Sequence, residues 1–167
     1  CDMRGYNEYG VFISEVTGFE IYGCKLRGYL VSLFLFSSSN YNLTRNDFSI
    51  YTEESLNEGT AYGLFIYETS NGIIYNNNFL IDESRYPIDI YHYSGINNSF
   101  NGTHEQGGNF YSDYSLPQHG AIDNNSDGYA DNPWFSQGLN PIGDYYPLMR
   151  PVRPQDNHLP EITERYP

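Results

Sequence analysis

Basic residues are scarce in this chain. Its 167 residues hold 8 Lys+Arg against 21 Asp+Glu, a formal net charge of −13. Nucleic acid and anionic membrane surfaces repel such a chain, so neither is an expected partner. No run of about 18 apolar residues occurs, and the sequence therefore predicts no membrane-spanning helix. Two cysteines are too few for a disulfide scaffold. Cys1 and Cys24 can pair with each other or stay unpaired; a lipid on Cys1 is a further reading. Helix formers are few, and no window carries an apolar stripe at helical spacing. With two Met, and with His92, His104, His119 and His158 at no metal-type spacing, a copper site has little to stand on. The chain opens on Cys1 without an initiator Met or a signal-peptide pattern, which reads as a cut N-terminus.

What is present instead is aromatic and turn-forming: 18 Tyr, 10 Phe and 16 Gly, with a mean hydropathy of −0.58. Aromatic and β-branched residues suit strands, whereas Gly and Asn punctuate turns. A repeat runs through this material. Residues 10–26 overlay 32–48 at an offset of 22, and 63–79 at an offset of 53, which is the same step twice plus nine inserted residues. In register, Val11 matches Leu33 and Leu64, Ile13 matches Leu35 and Ile66, and Ile21 matches Leu43 and Ile74. Leu26, Phe48 and Phe79 coincide, as do Thr17, Ser39 and Ser70, and then Gly18, Asn40 and Asn71. A less regular fourth copy spans Ile88 to Phe100.

Short alternating strands with fixed Asn/Gly corners predict an all-β fold. The expected architecture is a right-handed parallel β-helix of about four coils of ~22 residues, each burying its apolar face on the next. Asn suits the corners because it tolerates left-handed backbone and can bond to the copies above and below. The extra residues around 53–60 read as a polar loop leaving one corner. Tyr67 and Tyr91 alternate with the inward set and should face outward, where they offer either a sugar- or protein-binding stripe or a self-stabilising stack.

The segment Asp123-Asn-Asn-Ser-Asp-Gly-Tyr-Ala-Asp131 spaces oxygen donors as a single-loop calcium site does. Asp123, Asn125, Asp127 and Asp131 occupy positions 1, 3, 5 and 9, Gly128 takes the sharp turn, and the Tyr129 carbonyl fills position 7. Trp134 stands where an EF-hand carries its bidentate Glu, so the remaining ligand is expected from Asp113 or Asp144. The expected cofactor is Ca²⁺; a merely polar turn is the bland alternative. Sequons at Asn42, Asn97, Asn101 and Asn124 are candidate glycosylation sites. Together with the acidity and the loop they favour an extracellular or cell-surface location.

The chain divides into repeats over 1–106, a closing block over 107–149 with the Asp-rich loop, and a tail over 150–167. That tail is a Pro-rich linker; beyond it, Leu159–Thr163 reads either as the first strand of a further Ig-like module or as a disordered end. No catalytic pattern involves Lys25, Arg27, Arg45 or Arg85, and Asp47, Asp82 and Asp89 show no partner, so no enzyme is expected.

Three elements, in this order, resemble the closing signature of NosD-like repeat proteins, also called CASH-type domains. They are Gly-Gly-Asn-Phe-Tyr-Ser-Asp-Tyr (107–114), Asp-Asn-Asn-Ser-Asp-Gly-Tyr-Ala-Asp-Asn-Pro-Trp (123–134) and Asp-Tyr-Tyr-Pro-Leu-Met (144–149). Ser-Asn-Gly-Ile-Ile-Tyr-Asn-Asn-Asn-Phe (70–79) is similar to that family's repeats. The resemblance implies a parallel β-helix in a secreted or surface protein. Two functions follow as expectations. One is a structural or assembly role in a surface layer, filament or adhesin, through self-association or other surface proteins. The other is a carbohydrate-binding or polysaccharide-processing module; a copper-maturation role is a weaker third.

Overall fold

The computed structural model describes residues 1–5, 8–50, 60–80, 87–114 and 117–152. The polar insertion, apart from Thr60, and the tail beyond 152 lie outside the described residues, as do Asp82, Arg85 and His158. Among the described residues the fold is all-β with parallel sheets, and one short 3-10 turn at Pro117–His119.

Three rows of strands recur in chain order. The first row holds β2 (Tyr9–Ser14), β5 (Val31–Phe36), β8 (Ala61–Ser70) and β11 (Pro87–Ile96), each parallel to the next. In the second row β3 (Thr17–Tyr22), β6 (Ser39–Thr44) and β9 (Ile73–Tyr75) pair likewise. β1 (Asp2–Arg4), β4 (Lys25–Gly28), β7 (Asp47–Ile50), β10 (Asn78–Phe79) and β12 (Phe110–Tyr111) form a five-stranded sheet of their own.

Register follows the repeat read in the sequence. Val11 pairs with Leu33 and Leu33 with Leu64; Ile13, Leu35 and Ile66 line up in the same strands. Ile21, Leu43 and Ile74 form the next ladder, and Leu26, Phe48 and Phe79 the third. From the second repeat onward these side chains are fully buried. Each contributes about 1.5–3 kcal/mol by leaving water. Parallel strands need like residues one above another, so a repeated sequence satisfies the core at every level.

The corners are fixed by left-handed backbone. Three columns of residues have positive φ: Glu15, Ser37 and Glu68; Gly18, Asn40, Asn71 and Asn97; Gly23, Arg45 and Asn76. Asn tolerates this region and Glu or Arg does so at a cost, which stacking must offset. The offset is visible in the backbone: Glu15, Ser37, Gly23, Arg45, Asn71 and Asn76 each donate their N–H to the level above. Arg45 is thus a corner residue, its guanidinium 5.9 Å from the centre of the Tyr22 ring.

Cys1 and Cys24 form a disulfide that ties β1 to the turn before β4.

Candidate functional site

Two structures bring polar chemistry together: a buried asparagine ladder that ends in Asp144, and the partly exposed loop 123–131.

The ladder is Asn46, Asn77 and Asn109, one per level and nearly inaccessible to solvent. Asn46 Nδ2 donates to Asn77 Oδ1 at 3.0 Å, and Asn77 Nδ2 donates to Asn109 Oδ1 at 3.0 Å. Each oxygen also accepts the backbone N–H of the residue below it: Cys24 N to Asn46, Asn46 N to Asn77, Asn77 N to Asn109. The spare amide hydrogens reach Ile21, Leu43 and Ile74 carbonyls at 2.8, 2.8 and 3.0 Å. Asp144 closes the ladder. Its Oδ2 accepts Asn109 N at 2.7 Å and the Tyr111 hydroxyl at 3.1 Å, while Oδ1 accepts Tyr146 N at 3.1 Å. Burial pushes its carboxyl up to about 7, against the lowering effect of these hydrogen bonds. A Cβ on Gly108 would lie 1.9 Å from Asp144 Oδ1, which explains the Gly-Gly-Asn order in this block.

The loop 123–131 folds on its own oxygens. Asp123 Oδ1 and Asn125 Oδ1 both accept Asp127 N, at 3.2 and 3.0 Å. Asp123 Oδ2 accepts Gly128 N at 3.0 Å, and Asp127 Oδ1 accepts Tyr129 N at 2.9 Å. Gly128 adopts φ 89°, as a sharp turn there requires. Asp131 Oδ2 turns the other way, to Asn124 N and Nδ2 at 2.8 and 2.7 Å. His104 Nε2 approaches Asp127 Oδ2 at 3.7 Å. The loop is moored to the chain's later segment by Ala130 N to Pro147 O and Met149 N to Gly128 O. The Tyr129 ring packs with Phe110 and Leu148 in a second small core.

The sequence therefore groups Asp123, Asn125 and Asp127 as the structure places them. Asp144 serves the ladder, and Asp113 lies against Asp89. Among the described residues no three His, Cys, Asp or Glu side chains gather in a metal-binding group. Trp134 completes an aromatic stack of Phe48, Phe79, Tyr111 and Trp134, with centroid spacings of 4.7, 5.3 and 3.9 Å.

No family model, no curated protein and no solved structure matches this chain.

A third feature is the outer face of β2, β5, β8 and β11. Phe12, Phe34, Phe65 and Tyr91 follow one another at 4.9–5.2 Å, and Phe36, Tyr67 and Tyr93 stack beside them at 5.4 and 4.7 Å. Tyr67 and Tyr91 thus sit on the outer aromatic face, with much of each ring spent on its neighbours. A groove of about 220 Å³ beside this face is lined by Glu8, Tyr9, Phe34, Thr60, Tyr62 and Phe65, among others. Of the sequons, Asn97 and Asn124 are exposed, while Asn42 and Asn101 are half-buried. The Asn46–Asn77–Asn109 ladder escaped sequence reading, although Asn46 and Asn77 stand 31 residues apart, the same step as Leu33 and Leu64.

Proposed function

We propose that this chain is a non-catalytic module of an extracellular surface protein, a right-handed parallel β-helix of the NosD-like type that serves assembly. The observation that carries this reading is the difference between its two ends. At one end the closing block 107–149 lies over the last strands, with Gln137 N donating to Ile90 O and His92 N donating to Gln137 O. At the other, β1, β2 and β3 are outermost in their rows, and among the described residues no strand pairs with their outer edges. Met3, Tyr9, Phe12, Val16 and Tyr22 are exposed there. An open strand edge with apolar side chains is a template for pairing with another chain. Copies of this chain, other surface proteins or further coils of a longer chain would fit that edge, and the first two are the assembly partners of this reading. The disulfide supports an oxidising compartment, and the exposed sequons Asn97 and Asn124 accord with one.

Ca²⁺ is the cation we assign to the loop, held by Asp123, Asn125, Asp127, the Tyr129 carbonyl and a reoriented Asp131. Hard oxygen donors closely spaced on one loop suit it. It would lock the closing block by replacing the loop's internal hydrogen bonds with metal ligation. The groove at Glu8 and Tyr62 supports a second reading, glycan binding along the aromatic face.

Sedimentation of the full chain separates the two. Assembly predicts concentration-dependent association that Ile13→Lys abolishes, because an inward-facing charge on an edge strand blocks pairing. A parent that stays monomeric at every concentration, and whose aromatic-face fluorescence shifts with oligosaccharide, would overturn assembly in favour of the glycan. For the loop, Asp127→Ala should weaken Ca²⁺ binding at least tenfold by calorimetry. Equal affinity in the two proteins would remove the loop assignment.

A further inference from the structure

The interior beneath the closing block contains a second carboxylate pair, independent of the loop. Asp89 lies on β11 between Ile88 and Ile90, and Ile90 is fully buried against Leu64. In register Asp89 stands level with Gly63 and Ser32, and Ser32 turns inward to donate to the Ser49 carbonyl. This column therefore faces the interior rather than solvent. Asp89 is 3% exposed, and neither of its carboxylate oxygens meets a hydrogen-bond donor. The group it faces is Asp113, two residues beyond β12, whose buried Oδ1 also lacks a donor.

Two neighbouring carboxylates with three buried oxygens that meet no donor call for a positive partner. Removing two charges from water without compensation is among the costliest arrangements in a protein. A single shared proton links one oxygen of each residue. It leaves the second Asp89 oxygen without a donor. A divalent cation beside the pair would give the donorless oxygens a partner and cancel the charge. We propose that Asp89 and Asp113 form a second cation site that takes a hard divalent ion such as Ca²⁺.

The donor set is all oxygen, which disfavours zinc and copper. Asp113 is half-buried, so water can reach the ion along its side and complete the coordination. Burial first, and the neighbouring Asp113 carboxylate after it, push the Asp89 carboxyl well above its ordinary range. Asp144 and Tyr111 are the other titratable groups nearby, and both are engaged with Asn109.

Native mass spectrometry of the full chain in calcium, paired with calorimetry, tests this. The parent should carry two ions, Asp89→Asn one, Asp127→Ala one, and the double variant none. Removing calcium should lower the melting temperature of Asp127→Ala, which keeps the buried site. Asp113→Asn, at the half-buried position, repeats the count if Asp89→Asn does not fold. An unchanged ion count in the Asp89 and Asp113 variants would mean that the pair holds protons only, and would overturn the proposal. An unchanged count in Asp127→Ala alone removes the loop site and leaves this one standing.

Discussion

At the scale of single residues, the same amino acid does two different jobs in parallel columns. Asn40, Asn71 and Asn97 form an outer ladder, with Asn71 Nδ2 to Asn40 Oδ1 at 3.2 Å and Asn97 Nδ2 to Asn71 Oδ1 at 3.3 Å. Their value lies in the left-handed backbone they tolerate, so Asn71→Gly should cost less than about 1 kcal/mol. Asn77 is different, because its side chain answers Asn46 N, Asn46 Nδ2, the Leu43 carbonyl and Asn109 Oδ1. Asn77→Ala strands several buried groups at once and should cost roughly 3–5 kcal/mol. Urea denaturation of the two variants makes the comparison; equal losses would show that the inner ladder adds nothing beyond its corner. The outer column was legible in the sequence because Gly18 shares it, and Gly next to Asn signals positive φ. The inner column was masked by the Asn-rich run 76–78, in which nothing in the sequence alone says which Asn points inward.

At the scale of elements, one buried side chain helps fasten the closing block to β11. His92 is 1% exposed, and its Nδ1 lies 2.7 Å from the Asn140 carbonyl. Its backbone N–H donates to Gln137 O, and Asn98 Nδ2 reaches its Nε2 at 3.3 Å. This places the proton on Nδ1 and leaves Nε2 as an acceptor. Burial lowers the His92 pKa, and the hydrogen bond to Asn140 opposes that only in part. The groups facing it are Thr69 and Asn98, the ring of Phe100, and the 137–140 backbone, none of them charged. Because the folded pKa is the lower one, the unfolded chain takes up the proton first as pH falls. Stability contributed by neutral His92 is therefore intact above about 6.5 and is lost as pH drops from there toward the folded value. Asp144, with its carboxyl raised to about 7, changes stability in the opposite sense over part of this window. The informative quantity is thus a difference. Between pH 7.5 and 5, His92→Gln should lose less stability than the parent by chemical denaturation. Parallel pH profiles would show that the fastening does not titrate.

At the scale of the whole molecule, the sequence was most legible where one rule governs many residues. The 22-residue step placed Val11, Ile13, Ile21 and Leu26 on the right partners, because parallel pairing copies the register from one level to the next. The closing block has no repeat to constrain it, and there spacing grouped Asp123, Asn125 and Asp127 but not the surroundings of Asp113 and Asp144. Both are positioned by contacts distant in sequence, Asp144 by residues 35 positions away and Asp113 by β11. A final consequence belongs to the aromatic column that begins at Phe48. The chain has a single tryptophan, and it lies flat on Tyr111 at 3.9 Å with an interplanar angle of 10°. Indole emission in this protein is therefore a local gauge of whether the closing block is seated. When the block lifts away, the emission moves to longer wavelength while the strand signal in the far ultraviolet remains, so one spectrometer separates loosening at that end from collapse of the stacked rows.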